Sequence, residues 1–316
     1  MNEFILHRSE HNPIIRPEDF PVPADSVMNC GQTTYHGKTV LLVACIYRGM
    51  VNGRKTGIHV AMSDDGIHFD IDPEPLCKPT GWSGDMCDYD GWVIDPRLTK
   101  MGDTYYIIRP GEGALGPCAL LEKTTDFKTL EFMGCIALPP NRVPCLFPEK
   151  VGGKYVRFDR PMNGGGHKNC GEIWLSYSPD LLHWGEHRPL LIPTATGVPY
   201  FEFKIGPTVP VKTKEGWLAL FHGTWDTCAD TRYSIGAMLL DLDDPSKIIG
   251  ITRSWILTPQ APYEMMGHVS NVVFPCGCLA DEEKDEIRLY YGAADERIAL
   301  ATGKLSELID ACKRQL

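Results

Sequence analysis

Asp95 stands in the stretch VIDPRLTKMGDTYY, Val93 to Tyr106, pinned by Pro96 and followed by Arg97. A carboxyl there can carry a proton for catalysis, and an Asp before proline can equally be a turn residue. Other chemically capable side chains sit in short phrases along the chain: Arg48 in YRG, Arg109 in RPGEG, Arg160 in FDRP, Lys204 in EFKIGP, His222 in FHG, Tyr233 in RYSIGA and Asp295 in GAAD. Two or three cations and an imidazole in one place make a clamp for a phosphate-like anion. Carboxylates beside such a clamp suit a hydroxyl-rich substrate and proton transfer. Taken singly, each has a structural reading: Arg160 as a partner of Asp159, Lys204 as a solvated head on an apolar stem, His222 as a hydrogen-bonded histidine. The chemistry exists only if the fold brings these residues together.

A repeat supplies the means. A strand, a polar turn and a bulky residue recur as IHVAMSDDGIHF, CALLEKTTDFKTLEF, IWLSYSPDLLHW, IGAMLLDLDDPSKI and IALATGKLSELI, with starts 60, 55, 62 and 63 residues apart. Before each comes a turn and an alternating strand, in YHGKTVLLVACIY, KMGDTYYIIRPG, KVGGKYVRFDRP, TKEGWLALFHGT and KDEIRLYYGAAD. Earlier still come NCGQTTY, DPRLTK, FPEKV, GPTVPVK and NVVFPCG. Five rounds of at least three strands predict an all-β fold, a five-bladed β-propeller, with residues 1–316 as a single catalytic domain. A pair of β-sandwiches would explain the strands but not the recurrence. Helical spacing is confined to KLSELIDACKRQL, which predicts a short C-terminal helix burying Leu305, Leu308, Ile309 and Cys312. In a propeller the innermost strands line a central channel, so Asn29, Asp95, Phe147, Gly206 and Asn271 are expected to converge. Trp82, Tyr89, Trp92 and Trp225 offer flat faces for sugar rings, or core.

Composition narrows the partners. With 43% hydrophobic and 23% charged residues the chain reads as an ordinary globular protein, and its formal net charge of −10 argues against nucleic acid or an anionic membrane as partner. No run of about 18 apolar residues and no signal-like leader is visible, which predicts a cytoplasmic protein. The 12 cysteines, Cys276 and Cys278 among them, lack a tetrahedral zinc spacing and are expected to be reduced and buried, with no metal.

The phrases NPII, DPRLT, RP followed by GGGH, IWLSYSPDLLHWG, KIGP, GWLALFHG, IGAMLLDLDDPSKI, YEMMGHVSNVVFPCG and LYYGAAD occur in this order over nearly the whole chain. As an ordered set they resemble glycoside hydrolase family 130, the β-mannoside phosphorylases. The resemblance implies a five-bladed propeller that cleaves β-mannosides with inorganic phosphate, inverting the anomeric centre to give α-mannose 1-phosphate. No cofactor is implied, phosphate being a co-substrate, and a homo-oligomer is consistent with relatives. It implies Asp95 as general acid, acting by way of a mannose hydroxyl. It implies Arg160, Lys204, His222 and Tyr233 at the phosphate, and Asn29, Arg48, Arg54 and Asp295 at the sugar. His268 stands where relatives often have Asp, and Cys30 where they have Ser, so His268 is a candidate sugar or acceptor contact.

Three activities compete on these residues. An inverting hydrolase needs a second carboxylate as base, for which Glu202 and Glu264 are near in sequence. A phosphorylase needs the anion held and aimed instead, and the cationic residues favour it. A non-catalytic carbohydrate-binding propeller would need neither acid nor clamp. The pattern leans to β-1,4-linked substrates, with β-1,2-mannosides as the alternative.

Overall fold

The computed structural model describes residues 5–83, 89–163, 170–193, 202–228 and 230–314. Its five sheets are blades of a β-propeller, each with an inner strand, and are antiparallel apart from the Gly171–Lys204 pairing in the fourth. These inner strands are Ala24–Tyr35, Arg97–Met101, Cys145–Leu146, Lys204–Pro207 and Val273–Pro275. Behind each lie the strands of the second phrase, Lys38–Val51, Thr104–Gly111, Tyr155–Asp159, Gly216–Asp226 and Glu286–Ala293. The first phrase gives the third strands, Arg54–Ser63, Cys118–Thr124, Ile173–Ser178, Thr231–Leu240 and Arg297–Gly303.

The polar turn in the first phrase has one physical cause in three blades. Ser63, Thr124 and Ser178 each accept, through the side-chain oxygen, the backbone N–H three residues on. Asp65, Asp126 and Asp180 each accept the N–H groups two and three residues on. These short-range bonds satisfy the backbone where the chain leaves the sheet. Between inner and second strands of the first blade, His36 and Gly37 both take left-handed φ, the form that matches strand twist in a two-residue hairpin.

Closure of the ring joins the two ends of the chain. Strand His7–Arg8 pairs antiparallel with Arg297–Gly303, completing the fifth blade from the N-terminal side. Arg8 then forks onto buried Glu264 with two bonds of 2.8 Å, and Tyr291 donates to the same carboxylate at 2.7 Å. Gln32 ties the first blade to the fifth, donating to Gly277 O and Tyr290 O and accepting from Tyr290 N. Helix Leu305–Lys313 buries Leu305, Leu308, Ile309 and Cys312. It lies so close to the fourth blade that a side chain at Gly250 would meet the Cys312 backbone at 3.0 Å.

Of the described cysteines ten are free and eight of these are buried. No described helix is long and apolar enough to cross a membrane. Trp92 packs against the core between the first and second blades, and Trp225 stacks on Trp255, so these indoles serve packing.

Arg109 lies within the second blade, away from the channel. It is fully buried, bonded to Glu122 by two contacts of 3.1 Å and to Asp90 at 2.7 Å. Asp90 in turn accepts from Thr80, so this ion pair holds the loop that enters the second blade. Removing one member leaves a buried charge uncompensated. Glu122→Ala is therefore expected to lower stability by about 3–5 kcal/mol, read from the urea midpoint at unchanged slope.

Candidate active site

The left-handed backbone marks where the channel residues are aimed. Asp95, Val143 and Asn271, each two residues before an inner strand, have φ of 51°, 55° and 60°. Asp and Asn tolerate this conformation better than most side chains. Asn29 has φ of 44° at a bulge in the first inner strand, where the register shifts between Met28 and Cys30. A bulge of this kind re-aims one side chain without ending the strand.

The result is a cavity of about 190 Å³ on the propeller axis, bounded by Asn29, Asp95, Arg142, Arg160, Lys204, His222, Tyr233 and Asp295, with Met28, Ile94, Met162, Val272 and Phe274 as apolar wall. Nine short stretches from all five blades thus meet. A larger concavity of about 700 Å³ lies on the outer flank of the second and third blades. Its lining includes the Arg157–Asp159 pair at 3.0 Å, with His183 paired to Asp180 and His187 bonded to Ser176.

Asp95 is engaged at both oxygens. Asn29 Nδ2 donates to Oδ1 at 2.7 Å and Arg142 Nη2 donates to Oδ2 at 2.9 Å, while Arg97 Nη1 donates to the Asp95 carbonyl at 3.2 Å. Burial by itself would raise the Asp95 carboxyl. The charges of Arg142 and Arg97 and the bonds from Arg142 and Asn29 outweigh it and hold the group below its ordinary value, ionised at neutral pH. Asp295 is the opposite case: burial first, then the charge of Asp95, raise it to about 7.

The cations crowd one another. Arg160 Nη1 lies 3.0 Å from His222 Nε2. A guanidinium only donates, so Nε2 accepts and the ring hydrogen resides on Nδ1, which has no hydrogen-bond partner among the described residues. Burial, then Arg160 and Lys204, push the His222 imidazole well below its usual value, so it is neutral. Lys204 donates to the Tyr233 hydroxyl, and burial together with Arg160 and Arg142 lowers its ammonium to about 7. Arg160, depressed by burial and by Arg142 to about 9, stays charged at neutral pH. A site with this excess of donors and positive charge is built for an anion.

Two glycines make room for it. A Cβ on Gly206 would lie 2.2 Å from His222 Cε1 and 2.8 Å from Arg160 Nη1, and one on Gly292 would lie 2.1 Å from Asn29 Oδ1. The site side chains rest on bare backbone at both places.

The sequence-derived candidates Asn29, Asp95, Arg160, Lys204, His222, Tyr233 and Asp295 all line this cavity. Arg48, Arg54 and His268 do not. Tyr47 faces the core against His59, so alternation turns Arg48 outward, where it bonds Asp25 at 2.9 Å. Arg54 opens strand Arg54–Ser63 on the far side of the Asn52–Gly53 turn, half-buried. His268 is exposed on the connection to the fifth inner strand. Phe147, Gly206 and Asn271 do not line the cavity either; Phe147 is core between the third and fourth blades. Parts of the TGWSGDMCDYDG and MNGGGHKNCG loops lie outside the described residues.

Residues 10–314 match the family described as β-1,4-mannooligosaccharide phosphorylase, glycoside hydrolase family 130. The chain belongs to glycoside hydrolase family 130. It is 33% identical over 311 residues to a β-1,4-mannooligosaccharide phosphorylase of Ruminococcus albus, covering 98% of this chain and 91% of that one. It is 39% identical over 259 residues to a β-1,2-mannobiose phosphorylase of Listeria innocua, covering 80% and 67%. A solved structure of β-1,2-mannobiose phosphorylase from Listeria innocua, in complex with β-1,2-mannobiose, superposes with a TM-score of 0.85 at 30% identity, covering 100% of both chains.

Arg142 lines the cavity and the sequence reading missed it, as it missed Glu112, which pairs with Arg142 from outside the lining. Arg142 bridges Asp95 and Glu112, its Nη1 lying 2.7 Å from Glu112 Oε1. The available signal was position: Arg142 precedes the third inner strand by three residues, close to where Asp95 precedes the second. Gly206→Ala is expected to force His222 and Arg160 apart while the blades persist. Phosphate affinity measured by calorimetry should then fall roughly tenfold to a hundredfold.

Proposed function

We propose that this protein catalyses the reversible, inverting phosphorolysis of β-mannosides, giving α-D-mannose 1-phosphate and a shortened sugar. The observation that carries this reading is the convergence of Arg142, Arg160, Lys204, His222 and Tyr233 on a cavity that also holds Asp95. Phosphate is already a nucleophile; holding, desolvating and aiming it suffices. Arg160, Lys204, His222 and Tyr233 hold the anion, and Asn29 and Asp295 bind the mannosyl ring. Asp95 is the catalytic carboxylate. Because it is ionised in the empty site, a proton has to reach the leaving sugar through a neighbouring group or a sugar hydroxyl.

The main substrate reading is β-1,4-linked: mannooligosaccharide, mannosyl-glucose or mannosyl-N-acetylglucosamine. The family description and the relative matched over 98% of the chain support it. A β-1,2-mannoside is the second reading, supported by the relative at 39% identity. The strand from the N-terminal side that completes the last blade supports residues 1–316 acting as one catalytic domain. The eight buried free thiols support a reducing, cytoplasmic setting.

Sugar release is expected to require phosphate, and equal release in phosphate-free buffer would make the protein a hydrolase. Asp95→Asn should lower kcat by about 10³-fold or more with the fold intact, and Lys204→Ala should raise the phosphate concentration needed for half-maximal rate. Synthesis from α-mannose 1-phosphate and a panel of acceptors, followed by identification of the disaccharide, decides the linkage.

Phosphate binding should also take up protons near neutral pH. Lys204, at about 7 in the empty site, is only part charged there. A bound dianion favours the charged ammonium and raises its affinity for the proton. Calorimetry in two buffers of different ionisation enthalpy reads this uptake, which Lys204→Ala should reduce but not abolish, because Asp295, also at about 7, gains affinity for a proton beside the same anion.

A further inference from the structure

Arg142 and Arg160 both line the central cavity, and their charges oppose each other: burial first and then Arg142 lower Arg160 to about 9. Like charges so placed move apart unless the backbone beneath them is fixed. The two arginines stand on different segments of the third blade, Arg142 before the inner strand Cys145–Leu146 and Arg160 just beyond Tyr155–Asp159. Two backbone bonds join these segments, from Arg142 N to Arg160 O at 3.1 Å and from Met162 N to Pro140 O at 2.9 Å.

The third tie comes from a side chain. Asn141 Oδ1 accepts from Arg160 N at 3.0 Å, and Asn141 Nδ2 donates to Asp159 Oδ1 at 2.9 Å. Only one orientation of the amide fits, because a backbone N–H only donates and a carboxylate only accepts. The Asn141 N–H donates to Pro117 O at 2.7 Å, which anchors the residue on the second blade. Asp159 is itself fixed. Arg157 Nε lies 3.0 Å from its Oδ1, Ser176 Oγ donates to its Oδ2, and Ser176 is bonded to His187 at 2.8 Å.

Asn141 and Asp159 line the concavity on the outer flank and not the central cavity. Asn141 therefore touches neither an anion nor a sugar bound on the axis. It fixes the point at which Arg160 leaves its strand. Beyond that point the Arg160 side chain has little slack. A Cβ on Gly171 would lie 3.1 Å from its Cγ and Cδ, and its Nη1 lies 3.0 Å from His222 Nε2. A shift of the Arg160 backbone is passed on to the guanidinium.

We propose that Asn141 is a positioning residue of the anion clamp: by tying Arg160 N to Asp159 it sets the gap between the Arg142 and Arg160 guanidinium groups, and with it the affinity for phosphate. This rests on the phosphorolysis reading. A tetrahedral dianion that bridges two guanidinium groups loses its fit to one of them when the gap changes by about 1 Å. A mannosyl ring held by Asn29 and Asp295 does not depend on that gap.

Phosphate and sugar are measured separately. Asn141→Ala should weaken the binding of inorganic phosphate, read by calorimetry on the whole protein, by about tenfold or more. The KM for phosphate should rise in step, while the KM for a disaccharide that the wild type cleaves should change by less than about twofold. In an Arg160→Lys background, Asn141→Ala should lower phosphate affinity by less than about threefold further, because the two residues act as a unit. A merely structural bond would lower the urea midpoint without this split. Unchanged phosphate affinity, equal losses on phosphate and disaccharide, or additive losses in the double variant would each overturn the proposal. If Asn141→Ala fails to fold, Asn141→Ser takes its place with the same expected split, its side chain being too short to reach both partners. The wild type tests the phosphorolysis reading separately. Equal sugar release without phosphate sinks that reading before any variant is made, whereas a phosphate-dependent wild type with an unaffected variant sinks only the role of Asn141.

Discussion

The site depends on guanidinium groups placed out of reach of water and given too few carboxylates. Arg97 and Arg160 are buried, and Arg142 is largely so. Arg97 bonds Cys276 Sγ and the Asp95 carbonyl and lies over the Phe274 ring, yet its Nε and Nη2 have no hydrogen-bond partner among the described residues. Arg160 Nε is in the same condition. Buried charge left this way is unfavourable unless a complementary group arrives. Burial first and then the resulting potential lower Lys204 and keep His222 neutral, and at Asp95 the potential outweighs burial and holds the carboxylate ionised. Every blade contributes to the ring that tolerates it, and the bonds of Gln32 and of Arg8 to Glu264 keep the ring closed.

Much of this was legible because a propeller repeats its grammar. The Ser/Thr-x-Asp turns after the third strands recur visibly, and they fix the period from which the inner strands follow. Seven candidate residues then fall together, since equivalent positions in a closed ring share one axis. What failed was phase. In the third blade the inner strand is Cys145–Leu146, so the left-handed residue that matches Asp95 and Asn271 is Val143, and Phe147 lies four residues beyond it. Valine is an unusual choice for that conformation and gives no cue, and the error also hid Arg142 next to it. Arg48 was misplaced for a similar reason: strand alternation at Tyr47 settles which way it points, and only packing against His59 reveals that Tyr47 faces inward.

Charge partition within the site was not legible at all. Asp95 and Asp295 are the same residue type at comparable strand ends. Their difference comes from which neighbours reach them: two donors on one, and on the other a buried oxygen without a partner among the described residues. Distances set by the fold create that difference, and no spacing in the sequence encodes it. Two carboxyls in one cavity thus differ in proton affinity through their surroundings alone.

The same geometry bears on which nucleophile the site can use. An inverting hydrolase requires a carboxylate opposite the leaving group, spaced to hold a water. Glu264 cannot serve, because Arg8, Tyr291 and the N–H groups of Gln260 and Ala261 occupy it. Glu202 is exposed, accepts from Asp226 N at 3.3 Å and does not line the cavity. The carboxylates that do line it are Asp95 and Asp295, and both face the cationic side. Asp95 is a poor base, since Arg142 and Arg97 stabilise its ionised form and weaken its hold on a proton, and Asp295, raised to about 7, stands among the same cations that hold the anion. The same charges stabilise an incoming phosphate, which needs no base. The clamp therefore disfavours activation of water while it favours phosphate, and the choice of nucleophile follows from the placement of the arginines.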